Sequence, residues 1–168
     1  MKNAYFAGGC FWCIAPVFRN QKGVFKVISG YSGGSEIEPS YEQVKSGLTH
    51  HRETISILYD EQLIAFEDLV QIFLWNVDPY DPEGQFIDKG HSYTLAIYYN
   101  DDNEKMISEN KVSQLEKSSG KHAFISLEPF KVFYAAEEFH QNFDIKNPDL
   151  FQKELQESGR IRYFDFKK

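Results

Sequence analysis

The sequence predicts a single domain of mixed α and β structure, and three observations carry that prediction. The chain has 168 residues, within the roughly 100–200 of one domain, and no linker, internal repeat or low-complexity segment divides it. Stretches with alternating apolar residues take turns with stretches carrying apolar residues at helical spacing, the mark of strands and helices sharing one fold. With 42% hydrophobic and 26% charged residues, the chain has a globular composition. At this size a domain buries about two-thirds of its unfolded surface and needs no disulfide staples. Alternation alone leaves the choice between α/β and α+β open.

Asn3 to Ala7 reads as a short strand running into Gly8-Gly9. A helix is predicted from Cys10 or Phe11 to about Asn20, with Pro16 near its first turns, where a missing N–H costs least. Val24 to Ser29 reads as a second strand, ended by Gly30-Tyr31-Ser32-Gly33-Gly34. Pro39-Ser40 opens a short helix through Lys45, closed by Gly47, and Thr54 to Tyr59 alternates as a strand with one polar edge. Ala65 to Asn76 carries Phe66, Leu69, Val70, Phe73 and Leu74 at helical spacing. Asp78 to Gly90, with Pro79, Pro82, Gly84 and Gly90, reads as a long loop of the kind that carries function in a small domain. Tyr93 to Tyr99 is a predicted strand, Asp101 to Lys117 an acidic-rich helix and Lys131 to Ala135 a last strand. Glu137 to Phe143 and Pro148 to Glu157 read as helices, the second with Asn147 as N-cap and Pro148 at its first position.

The net charge of −7 argues against a nucleic-acid binder that works by neutralising phosphates. Only two cysteines, Cys10 and Cys13, are present, which excludes a disulfide scaffold and a four-cysteine zinc site. The N-terminal residues lack an apolar run of signal-peptide length, and Leu69 to Trp75 is too short to span a bilayer. The expectation is a soluble cytoplasmic protein with reduced thiols. Aromatic residues make up 16% of the chain, which favours a well-packed core or an aromatic-lined site.

Gly8-Gly9-Cys10-Phe11-Trp12-Cys13 falls between a predicted strand and a predicted helix. A cysteine at a helix N-terminus meets the positive end of the dipole and unpaired N–H groups, both of which favour thiolate. The preceding glycines let backbone and substrate approach closely. Residues three apart on a helix lie about 5 Å apart, within disulfide range. A dithiol redox site is therefore the leading reading. Two small buried hydrophobes are the plain structural alternative. A zinc site is weaker, because His50, His51, His91, His122 and His140 offer no finger-like spacing. Bulky Phe11 and Trp12 beside the nucleophile point to a pocket for an apolar group.

The motif resembles the signature of the A-type peptide methionine sulfoxide reductases, and the resemblance continues in order along the chain. Gly30-Tyr31-Ser32-Gly33-Gly34 resembles the family's Gly-Tyr-x-Gly-Gly segment, and Pro39-Ser40-Tyr41-Glu42-Gln43-Val44 its Pro-Thr-Tyr-x-x-Val. Ser46-Gly47-Leu48-Thr49-His50-His51-Arg52-Glu53 resembles Ser-Gly-x-Thr-Gly-His-x-Glu. The stretch Gly84-Gln85-Phe86-Ile87-Asp88-Lys89-Gly90-His91-Ser92-Tyr93 resembles the Asp-x-Gly-x-x-Tyr block. Ala136-Glu137-Glu138-Phe139-His140-Gln141 followed by Asn147-Pro148 resembles the closing His-Gln…Asn-Pro segment. The resemblance implies a two-layer α+β sandwich with a mixed sheet on a ferredoxin-like core, forming one catalytic domain over residues 1–168.

Reducing a sulfoxide needs a soft nucleophile for sulfur, a proton for oxygen and an apolar wall for the methyl group. The resemblance implies Cys10 as the nucleophile. Glu53 is the acid, a carboxyl whose pKa an aromatic pocket would raise. The resemblance places Tyr41 and Tyr93 on the oxygen as hydroxyl donors. Phe11 and Trp12 resemble the family's methyl-enclosing walls, and Asp88 matches its acidic residue near the site, expected to orient substrate or a water. His140 and Asn147 match family positions with a structural role expected. The reaction leaves Cys10 as a sulfenic acid, which condenses with a neighbouring thiol. Cys13, the other thiol in the chain, is the resolving residue if resolution is intramolecular. The resulting disulfide is expected to be reduced by thioredoxin, or dithiothreitol in vitro, with no metal, flavin or nicotinamide bound. The expected substrates are S-epimer methionine sulfoxides, peptide-bound or free, and the expected state is a monomer.

This chain resembles the subgroup carrying both thiols in one motif. It departs from the family pattern at His50, where glycine is common, and at Thr94-Leu95, where Arg-Ser is usual. A general dithiol oxidoreductase would explain Cys10 and Cys13 but not Glu53, Tyr41 and Tyr93. An aromatic cage for cationic peptides would leave the dithiol unexplained.

Overall fold

The computed structural model describes residues 1–167. Strand β1 (Lys2–Gly8) turns Ala4 and Phe6 to one face and Tyr5 and Ala7 to the other, as the two-residue period of a strand requires. The remaining strands are β2 (Val24–Ser32), β3 (Arg52–Tyr59), β4 (Gly84–Gln85), β5 (Asp88–Lys89), β6 (Leu95–Tyr99), β7 (Ile125–Pro129) and β8 (Phe133–Ala135). Six of them form one sheet in the order β7-β6-β1-β3-β2-β8, while β4 and β5 make a small separate hairpin. Neighbours in the large sheet are antiparallel except β6 and β7, so the sheet is mixed.

Helices α1 (Phe11–Arg19), α2 (Tyr41–Lys45), α3 (Phe66–Trp75) and α4 (Asp102–Ser119) lie between strands, and α5 (Phe143–Lys146), α6 (Pro148–Glu157) and α7 (Arg160–Lys167) follow β8. Ile14 and Phe18 of α1 and Leu69, Val70 and Phe73 of α3 pack with Ala4, Phe6, Ile55 and Ile57 of the sheet. Phe6 is the hub, with ring centroids 5.6 Å from Phe18 and 5.1 Å from Phe73. Such aromatic contacts add to the hydrophobic burial. The expected α+β arrangement, a mixed sheet with helices packed on it, is what the structure shows. Among the described residues no helix is long and apolar enough to cross a membrane.

The other face is concave. Residues 130–132 link the two edge strands β7 and β8. The four steps from Pro129 to Phe133 span at most about 14 Å. A flat six-stranded sheet would separate its edges by roughly 24 Å at about 4.8 Å per strand, so this one curls. Phe130 lies across the hollow, stacked on Tyr5 of β1 at 3.8 Å. The Tyr98 hydroxyl of β6 reaches across to donate to the Ser32 carbonyl of β2 at 3.2 Å. Arg52 completes this layer, donating to the Tyr98 hydroxyl at 3.2 Å and to Glu128 at 2.6 Å.

Several elements differ from the sequence reading. β2 runs on through Gly30, Tyr31 and Ser32, the residues expected to end it. Gly30 is a packing glycine, since a Cβ there would meet the Tyr134 carbonyl of β8 at 2.3 Å. Tyr93 ends a short 3-10 turn (His91–Tyr93) ahead of β6 instead of starting the strand. The predicted Glu137–Phe143 helix is a 3-10 turn (Glu138–His140) and then α5, separated at Asn142, whose φ of 52° is left-handed. β7 and α7 are additional elements.

Gly30→Ala is expected to destabilise the fold by about 1–3 kcal/mol, since β8 cannot move off β2 without breaking its ladder. Chemical denaturation checks this, and a stability equal to that of the unsubstituted protein would show that β8 yields freely.

Candidate active site

α1 begins at the end of β1. Gly9 takes a φ of +82°, and a Cβ there would meet Gln85 at 2.7 Å, so the reversal from strand to helix needs glycine twice over. Cys10 follows as the N-cap residue. The first N–H groups of a helix have no partner within it. Here the Phe11 N–H donates to Glu53 Oε2 at 3.0 Å, which joins the helix start to β3 beside Cys10.

Glu53 is 2% exposed. Burial pushes its carboxyl up to about 8, and the nearby negative charge of Asp88 adds to this, while the Phe11 N–H and the Tyr93 hydroxyl pull the other way. At neutral pH the carboxyl holds its proton. Tyr93 is buried, Tyr41 half-buried, and burial raises both phenols, which stay neutral donors. Asp88 is half-buried on β5 and raised by burial, with its charge felt at both Glu53 and Cys10.

Phe11 packs against Tyr41 at 6.4 Å and His140 at 5.4 Å. Trp12 lies flat on Phe143 at 3.7 Å, and its indole N–H donates to His140 Nδ1 at 3.2 Å. That bond requires a neutral His140 with its proton on Nε2, and burial lowers its pKa accordingly. The structure thus brings Cys10, Glu53, Tyr41, Tyr93, Phe11, Trp12 and Asp88 to one place. It also gives His140 a task, holding the Trp12 indole.

Two residues without a role in the sequence reading matter here. Tyr31 faces Glu53 across the β2–β3 ladder. Its hydroxyl donates to Glu137 Oε1 at 2.9 Å, and Glu137 Oε2 accepts the Tyr41 N–H at 3.1 Å. Glu137 therefore anchors the start of α2 and with it the Tyr41 ring. Both residues lie in the blocks that carry the family resemblance, which was the available signal.

The departures from the family pattern are accommodated. His50 has no left-handed backbone, and its ring pairs with Glu36 at 2.8 Å at the surface. Thr94 accepts the Arg52 Nε–H at 2.8 Å, and Leu95 is buried in the core.

One expectation about Cys10 is corrected. Its thiol is held well above the usual thiol value, first by its hydrogen bond with Cys13 and then by burial, against the lowering expected at a helix start. Cys13 is drawn down by the same interaction, and the Arg160 guanidinium adds to this against burial. Among the described residues no group of His, Cys, Asp and Glu side chains could hold a metal ion.

A dithiol at a helix start beside a protonated buried carboxyl and two neutral phenols defines a thiol-dependent oxidoreductase. Residues 2–166 match the model of the family described as Peptide methionine sulfoxide reductase, and the chain belongs to that family. It is 43% identical to the peptide methionine sulfoxide reductase MsrA of Halalkalibacterium halodurans over 165 residues, 97% of this chain and 94% of that one. Its fold is similar to that of reduced Mxr1 from Saccharomyces cerevisiae, with a TM-score of 0.83 and 28% identity, covering 88% of this chain and 86% of that one. Mxr1 in complex with Trx2 matches at a TM-score of 0.58 and 17% identity, covering 84% of each chain. The protein is an MsrA-type enzyme and reduces methionine sulfoxide.

The raised Glu53 pKa links stability to pH. The folded chain keeps this proton up to about 8, and the unfolded chain loses it near 4.5. Stability from this group is therefore complete below the lower value and is lost as pH rises through the higher one. Glu53→Gln, always neutral, is expected to gain stability relative to the unsubstituted protein between about pH 5 and about pH 9. Thermal midpoints at the two pH values check this, and a constant difference would mean Glu53 does not titrate in that window.

Proposed function

We propose that Cys10 attacks the sulfoxide sulfur while Glu53 protonates the oxygen. The observation that carries this is the Phe11 N–H bond to Glu53 Oε2 at 3.0 Å, which sets a carboxyl raised to about 8 at the same helix start as the thiol. A general acid works best with a pKa near the working pH. Tyr41 and Tyr93 stabilise charge on the oxygen as the S–O bond polarises. Phe11 and Trp12 enclose the methyl group, and aromatic rings also attract sulfur. Asp88 orients substrate or a water.

The oxygen passes to Cys10 as methionine is released, leaving a sulfenic acid. Cys13 attacks it, water departs, and a Cys10–Cys13 disulfide remains. The two residues are joined by the Cys13 N–H bond to the Cys10 carbonyl at 3.1 Å, one helical turn apart. Yeast Mxr1 has been solved in complex with Trx2, which supports thioredoxin as the reductant here. The chain acts on the S epimer, peptide-bound or free, as a monomeric single catalytic domain in the cytoplasm, where thiols stay reduced. The central order β6-β1-β3-β2, connected as β1-α1-β2-β3-α3-β6, supports a ferredoxin-like core.

Separate R and S epimers of a sulfoxide peptide, assayed with dithiothreitol, test the substrate. Turnover of the S epimer alone is expected, and turnover of the R epimer would overturn the assignment. Cys10→Ser is expected to abolish reduction. Cys13→Ser is expected to release about one methionine per enzyme and then fail to cycle with thioredoxin. Full thioredoxin-driven cycling would remove Cys13 as the resolving thiol.

The pH profile tests the acid. Reduction is expected to decline above about 8, as Glu53 loses its proton. Glu53→Gln is expected to slow the reaction about 100-fold or more and to abolish that decline. A Gln variant as fast as the unsubstituted enzyme would exclude Glu53 as the acid.

A further inference from the structure

The two thiols occupy unequal surroundings. Cys10 is partly exposed on the side of the aromatic cluster, whereas Cys13 is 8% exposed. Cys13 borders a cavity of about 400 Å³ between α1, α6 and α7, lined also by Pro16, Val17, Leu155, Arg160 and Ile161. Arg160, the first residue of α7, is 6% exposed. Its Nη1 donates to the Asn76 carbonyl at 2.7 Å and its Nη2 to the Gly8 carbonyl at 3.4 Å, just ahead of Cys10. The guanidinium lies over the Phe86 ring at 4.6 Å. Both acceptors are neutral carbonyls, and Nε is buried without a hydrogen-bond partner among the described residues. A guanidinium keeps its charge when buried. A buried charge without full compensation is costly, and it favours an anion nearby.

We propose, resting on the roles given to Cys10 and Cys13 above, that Arg160 is a positioning residue that holds Cys13 as the resolving and leaving thiolate, so that the external dithiol attacks the disulfide at Cys10. The ionisable groups around Cys13 include Cys10, Arg160, Asp88, Glu154 and Glu53, with Asp165 lining the same cavity; Arg160 is the cation among them, and its charge is also felt at Asp88. Thiol exchange is faster when the leaving sulfur has the lower pKa. Cys13 is buried beside α6 and α7, whereas Cys10 is partly exposed.

A thiolate of the dithiol bonds to Cys10 Sγ, the Cys10–Cys13 bond breaks, and its electron pair leaves on Cys13 Sγ next to Arg160. The second thiol of the dithiol attacks its own partner sulfur, and its proton goes to Cys10 Sγ, which departs as a thiol. Two electrons pass from the dithiol to the disulfide. In the preceding half-reaction the same Cys13 thiolate attacks the Cys10 sulfenic acid, whose hydroxyl takes up a proton and departs as water.

The test begins with full-length enzyme oxidised by one equivalent of sulfoxide peptide, where loss of two thiols verifies the disulfide. Absence of a disulfide overturns the role of Cys13 and this inference with it. The disulfide form is then mixed with a thioredoxin whose second active-site cysteine is serine, acid-quenched, alkylated and fragmented. The mixed disulfide is expected on Cys10 with the alkyl group on Cys13. A mixed disulfide mainly on Cys13 overturns the inference while leaving the dithiol mechanism standing. Arg160→Met is expected to slow disulfide formation about tenfold relative to methionine release, by lowering the thiolate fraction of Cys13. Arg160→Lys is expected to restore most of it. If a folded Arg160→Met variant forms the disulfide as fast as the unsubstituted enzyme, or Lys rescues nothing, the charge is not what Arg160 contributes.

Discussion

The bond from the Phe11 N–H to Glu53 is the constraint on which the site depends. It ties the start of α1 to β3, two elements brought together by the core on one face of the sheet. The helix start supplies a donor that nothing within the helix can use, and β3 supplies a carboxyl with little water around it. Either group buried alone would cost free energy. Paired, they put a proton store next to the nucleophile. The glycine turn at Gly8-Gly9 lets Cys10 stand at that junction.

The remaining walls of the site are held from a distance. Glu137, following β8, accepts from Tyr31 and from the Tyr41 N–H, and His140, three residues on, accepts from Trp12. The same short segment therefore orients the Tyr41 and Trp12 rings, both of which pack against His140. β8 can reach that position because the sheet curls and residues 130–132 cross its hollow face. The closely packed Gly30 permits the last step, the pairing of β8 with β2.

Much of this was legible in the sequence, and for physical reasons. Cys10, Phe11, Trp12 and Cys13 are local, and a strand–glycine–helix junction is a local event. The capping box at Ser40 and Gln43 and the Asn147-Pro148 helix start likewise mark their own positions. Tyr41, Glu53, Tyr93 and Asp88 were legible through the ordered family blocks, because no spacing rule brings them together. Gly30 misled because glycine commonly marks a turn, whereas here it makes room for the neighbouring backbone. Tyr93 misled because an apolar run does not say where a 3-10 turn gives way to a strand. Glu137 and Arg160 escaped notice because a charged residue reads as surface until the fold shows what lies over it.

The raised Cys10 thiol also makes chemical sense within the proposed mechanism. Transfer of oxygen from a sulfoxide to a thiol gives a sulfide and a sulfenic acid, with no net gain or loss of protons. A thiolate formed in advance would have released its proton to water, and one would then have to be recovered for the sulfoxide oxygen. A neutral thiol beside a neutral Glu53 keeps the proton count complete. The carboxyl gives its proton to the oxygen, and the thiol proton can restore it. Burial, which disfavours charge on both groups, maintains this neutral pair until a polarised S–O bond arrives to use it. At the next step the attacking sulfur is Cys13, which lines the same cavity as the Arg160 guanidinium.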